Sequence, residues 1–88
     1  ANHCKQRYVG EIVSYDSGER LAEVLVKNKF AVGDTLELLS PQGNTTFVLD
    51  KIWDKDGGKI QVCPGSGYRV HIPLPTGDCQ YALLARRI

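Results

Sequence analysis

The chain has no methionine, not even at its first position, and no long apolar run. Its 88 residues therefore read as a piece cut from a longer protein. The opening ANHCKQRY lacks an apolar stretch, so nothing there resembles a signal peptide. No segment approaches the roughly 20 apolar residues that a membrane-spanning helix needs, and no membrane contact is expected. Net charge is scarce as well, with 11 Lys and Arg against 10 Asp and Glu giving a formal +1. That excludes attraction to nucleic acid by a bulk basic field, so any such contact must come from a local patch. Cysteine is sparse and odd in number: Cys4, Cys63 and Cys79 show no C-x-x-C spacing. A small secreted disulfide scaffold would be denser and even, so reduced thiols and a cytoplasmic location are expected. His3 beside Cys4 hints at metal chemistry, but ligands paired two to four residues apart are missing. Neither a metal nor another cofactor is expected.

What is present is strand. A chain of this length makes one small domain that buries about 60–65% of its unfolded surface, with little room for a deep enclosed cleft. Strands are predicted at 7–15, 20–27, 35–39, 45–53, 59–63 and 68–74 from β-branched and aromatic runs. DSGE, SPQGN and DKDGGK supply turn chemistry between them. The terminal run 80–88 is too short to hold a free helix and reads as a closing strand. No segment keeps a helical period over ten residues. Six or seven short strands with Gly-rich turns predict an all-β fold, a small closed β-barrel, because closure removes exposed edges. Residues 1–6 read as a short flexible N-terminal segment and 7–88 as the single barrel domain.

Alternation assigns faces. Tyr68, Val70, Ile72 and Leu74 share one side, expected to be the interior, and Arg69, His71 and Pro73 share the other. Leu36 and Leu38 point inward while Thr35 and Glu37 point out. The stretch 45–53 does not alternate cleanly, which predicts a bulge or sharp bend. In VKNKFAVGDTLELL (26–39), Gly33 suits a positive φ and Asp34 can accept hydrogen bonds from turn amides. Phe30 is expected to plug one end of the barrel, and Asn28 can satisfy backbone groups of the loop. Lys27 and Lys29 need only water.

Cys63 or Cys79 with His71 and Asp78 is the one conceivable nucleophile–base set, and nothing in the spacing brings it together. This fragment is therefore not expected to be an enzyme. For RNA, the candidates are Lys27, Lys29, Arg69, His71, Arg86 and Arg87, which would hold phosphates without reading sequence. Tyr8, Tyr15, Tyr68 and Trp53 offer stacking surfaces, although each also suits a core or rim. Set against this, the lysines are a solvated loop, Arg86 and Arg87 a charged tail, and the domain a structural module with Trp53 as an interface anchor.

YVGEI, VKNKFAVGDTLELLSPQGN, VCPGSGYRVHIPL and the terminal YALLARR resemble the C-terminal domain of the collagenase-like peptidases, family U-thirty-two. Within it, the sequence looks most like the bacterial branch associated with tRNA hydroxylation, and the resemblance covers residues 7–88. It implies a barrel similar to the second domain of elongation factor Tu, appended to a larger catalytic region. That region carries the peptidase signature and, in the tRNA-modifying branch, the cysteines of an iron–sulfur cluster. Cys4, Cys63 and Cys79 do not match those cysteines, so no activity or cofactor carries over to this fragment. The partners implied are the catalytic N-terminal region of the same protein and tRNA; the structural-module reading adds a homodimer.

Overall fold

Leucine and β-branched side chains alternate with polar ones along most of the chain, and the result is all-β. The computed structural model describes residues 6–41, 43–75 and 82–87, with no helix among them. His3, Cys4, Asp78, Cys79 and residues 1–5 of the expected N-terminal segment lie outside the described residues. The strands are β1 (Gln6–Asp16), β2 (Leu21–Val26), β3 (Phe30–Ala31), β4 (Thr35–Ser40) and β5 (Gly43–Val48). They continue as β6 (Ile52–Asp54), β7 (Lys59–Ile60), β8 (Val62–Cys63), β9 (Arg69–Pro73) and β10 (Leu83–Arg87).

Eight of them form one sheet in the order β5-β4-β10-β1-β2-β9-β6-β7, and β3 pairs with β8 in a separate ladder. The sheet must curl, because residues from β4 at one side and β9 at the other enter a single core. Val9, Ile12, Val24, Val26, Phe30, Leu36, Ile52, Ile72 and Leu84 are all essentially inaccessible there. The edge strands β5 and β7 are not paired with each other among the described residues. The segment after β3 links their ends instead: the amide of Val32 donates to the carbonyl of Gln61, and that of Gly33 to the carbonyl of Leu49.

Among the described residues there are ten strands in place of the expected six or seven. The stretch 45–53 bends at buried Leu49, whose amide and carbonyl bond Asp34 and Gly33, so β5 and β6 are separate. The stretch 59–63 divides at Gln61, which turns its carbonyl to Val32. Phe30–Ala31 is too short to give a period-2 signal. Leu83–Arg87 is a strand, as expected, and lies between β1 and β4. Val70, Ile72 and Leu74 do face the core, but Tyr68 does not: it is 53% exposed. It precedes the first ladder pair of β9, so the pleat does not fix its direction. Gly10 occupies the middle of β1 between two register shifts. A Cβ there would lie 2.6 Å from a Val24 methyl and 2.8 Å from the Leu25 carbonyl oxygen, so only glycine fits.

Candidate nucleic-acid interface

The loop between β2 and β4 is built from the inside out. Phe30 is fully buried and pairs with Cys63, so the chain is anchored one residue after Lys29. Gly33 has a φ of 97°, open to glycine at no steric cost. Asp34 Oδ2 accepts from the Ala31 amide at 2.8 Å, and the Asp34 amide donates to the Ala31 carbonyl at 3.1 Å. The Arg86 guanidinium lies 3.4 Å from the same Asp34 oxygen. On the other side, the amides of Lys27 and Asn28 both donate to the Val9 carbonyl, at 2.7 and 3.3 Å. The Asn28 side-chain amide donates to the Tyr8 carbonyl at 2.6 Å, as its expected role in satisfying backbone requires. These bonds leave Lys27, Asn28 and Lys29 as a fixed, exposed corner.

Two tyrosines meet this segment through their backbone carbonyls. Tyr8 is tied to the corner through its carbonyl and is 54% exposed. Tyr68 accepts the Val26 amide at 2.9 Å just before the corner begins, with its ring half-exposed. Tyr15, by contrast, packs partly against the core.

The six basic candidates do not form one bare patch. Lys27 is paired with Glu11 at 3.7 Å, both half-exposed, so it has more than water for company. Arg69 pairs with Glu23 at 3.0 Å. It stands opposite Leu25 on β2, two positions from Lys27 on the same outer face. His71 follows two positions further, opposite Glu23 and beside Trp53. There it helps line an open groove of about 530 Å³ together with Asp16, Glu19 and Glu23. Arg86 is engaged by Asp34, and Arg87 also has a partner. Arg7, exposed and directly opposite Arg86 on β1, was absent from the sequence candidates. Its signal lies in pairing register, which one strand's sequence does not carry.

Cys63 is inside the core, where desolvation pushes its thiol from 9.0 up to about 11. His71 is on the outer face. A nucleophile needs its base within hydrogen-bond reach and a low thiol pKa, and Cys63 has the opposite setting. Among the described residues, no group of three or more His, Cys, Asp and Glu is placed to hold a metal ion, and no helix is long and apolar enough to cross a membrane.

The sequence profile described as "Peptidase family U32 C-terminal domain" matches residues 4–86. The chain is 46% identical over 83 residues to tRNA hydroxylation protein P of Escherichia coli (strain K12), covering 93% of this chain and 18% of that protein. With the Haemophilus influenzae protein of the same name it shares 35% identity over 85 residues, covering 96% and 18%. It thus spans about a fifth of the length of these curated relatives. The crystal structure of the C-terminal domain of a Geobacillus thermoleovorans protein assigned to the U32 peptidases superimposes with a TM-score of 0.83 at 28% identity. That match covers 92% of this chain and 91% of the other. With that profile matching residues 4–86 and a relative 46% identical over 93% of the chain, the chain belongs to the C-terminal domain family of the U32 peptidases.

Proposed function

We propose that this domain is a non-catalytic accessory module of a cytoplasmic RNA-modifying enzyme, holding no metal or cofactor of its own. It helps position an RNA substrate, tRNA by analogy with the named relatives, against the catalytic region of the longer protein. The observation that carries this reading is the fixed, exposed Lys27–Asn28–Lys29 corner, bonded at its base to the carbonyls of Val9 and of half-exposed Tyr8. Exposed cations on a fixed loop suit phosphates, and they hold the nucleic-acid backbone without reading sequence.

The test is tRNA binding by the full-length protein carrying Lys27→Gln and Lys29→Gln together. Glutamine is the better replacement, because a glutamate at 27 would face Glu11. Binding should weaken several-fold for all tRNA sequences alike, while stability changes by less than about 1 kcal/mol, the scale of one surface ion pair. Unchanged binding at low salt would overturn the reading.

A second reading has its own observation. Leu39, Leu83 and Leu25 fall in one cross-strand row on the outer face, interrupted by Glu11, with Leu83 36% exposed. Such a row suits packing on the catalytic region or on a second copy of the domain. Sedimentation of the domain alone, with Leu83→Ser as control, separates the copy from the catalytic region.

A further inference from the structure

The groove beside His71 has a chemistry that the lysine corner lacks. Ser14, Glu23, His71 and Trp53 form one row across β1, β2, β9 and β6, and cross-strand partners share a face. Trp53 and His71 line the groove, Leu21 adds an apolar contact, and Asp16, Glu19 and Glu23 supply carboxylates. Among the described residues no lysine or arginine lines it, although Arg69 reaches the lining Glu23 carboxylate at 3.0 Å. Asp16 Oδ1 is used in the turn, accepting the amides of Gly18 and Glu19 at 2.9 and 3.3 Å. Glu23 is shared between the Ser14 hydroxyl and Arg69. The side chains of Glu19, His71 and Trp53 have no partner among the described residues.

A phosphate would meet three carboxylates here, so the groove is not an extension of the RNA surface. Nor do its ligating groups converge as a metal ion requires, among the described residues. An organic cation fits better. A guanidinium is planar, weakly hydrated, stacks on tryptophan and pairs with carboxylates through two parallel hydrogen bonds. We propose that this groove receives an arginine side chain from a protein segment, with its guanidinium over Trp53 and its charge met by Glu19. The proposal is independent of the RNA reading. The groove residue Glu23 lies four positions before Lys27, roughly 13 Å away at about 3.3 Å per residue, so the two sites are neighbours of opposite charge on one outer face.

Trp53 is the single tryptophan, so its fluorescence reports on the groove directly. The 88-residue chain is titrated with a short blocked peptide containing arginine, and with the same peptide carrying citrulline, which keeps the shape without the charge. The arginine peptide should change Trp53 emission saturably and less tightly as salt is added, and the citrulline peptide should not. Glu19→Gln should weaken binding about two- to fivefold, as loss of one exposed charge contact does. The Lys27→Gln/Lys29→Gln variant should bind the arginine peptide as the unmodified chain does, so failure here is distinguishable from failure of the RNA reading. No saturable change, an equal response to citrulline, or a response to oligouridylate in place of the peptide would each overturn the proposal.

Discussion

Phe30 and Lys29 are adjacent, yet one is fully buried and the other exposed, so the basic corner owes its position to an apolar anchor. Phe30→Ala should cost about 3–5 kcal/mol by urea unfolding, the range for truncating a buried phenylalanine. A domain of this length holds only about 5–13 kcal/mol in total, so the variant would be marginal. A loss under about 1 kcal/mol would mean that the site collapses around the alanine and that Phe30 is no plug. Gly10 makes a different demand. Its missing Cβ is where the Leu25 carbonyl oxygen approaches, and that oxygen belongs to the backbone of β2, which cannot rotate aside. Gly10→Ala should therefore destabilise by about 1–3 kcal/mol through overpacking, seen as a lower urea midpoint with an unchanged slope.

At the scale of the element, what was legible in the sequence was whatever local chemistry decides. DSGE and DKDGG turn where their composition says, and the inward sets Leu36–Leu38 and Val70–Ile72–Leu74 follow the pleat. The bend in 45–53 was readable from its broken alternation, but its cause, the Gly33–Leu49–Asp34 bonds, is non-local. The same holds for the candidate site. Lys27 and Lys29 could be picked out by type, but Glu11 as the partner of Lys27, Arg7 as the neighbour of Arg86 and the outward turn of Tyr68 depend on which strands meet. The two-residue β3–β8 ladder was invisible for its shortness, and it carries a testable consequence at Cys63. Burial raises this thiol from 9.0 to about 11, so the folded state keeps its proton where the unfolded state has lost it. The stabilisation linked to the neutral thiol is thus full below about pH 9 and is lost as pH rises through about 11. Tyrosines and lysines titrate in the same window, so the comparison is with Cys63→Ala. That variant should be less stable at pH 8, and the gap between it and the unmodified chain should narrow toward pH 11. A constant gap across that range would mean that the thiol ionises inside the fold without penalty.

For the whole molecule, a net charge of +1 makes electrostatics a matter of placement. Glu11, Glu23 and Asp34 each engage one of the cations that a charge count would assign to RNA. Any phosphate that Lys27 holds must displace Glu11, whereas Lys29 has no partner among the described residues to give up. Lys29→Gln should accordingly weaken tRNA binding by the full-length protein more than Lys27→Gln does. Salt dependence gives the sharper reading, because each phosphate contact releases counterions and adds about 0.7–0.9 to the slope of log affinity against log salt. Removing both lysines should lower the magnitude of that slope by about 1–2. A structural module that merely orients the catalytic region would lose affinity, if at all, with the slope intact. Parallel salt plots for the double variant and the unmodified protein would therefore place the lysines off the path of the phosphates and leave the outer leucine row as the working surface of the domain.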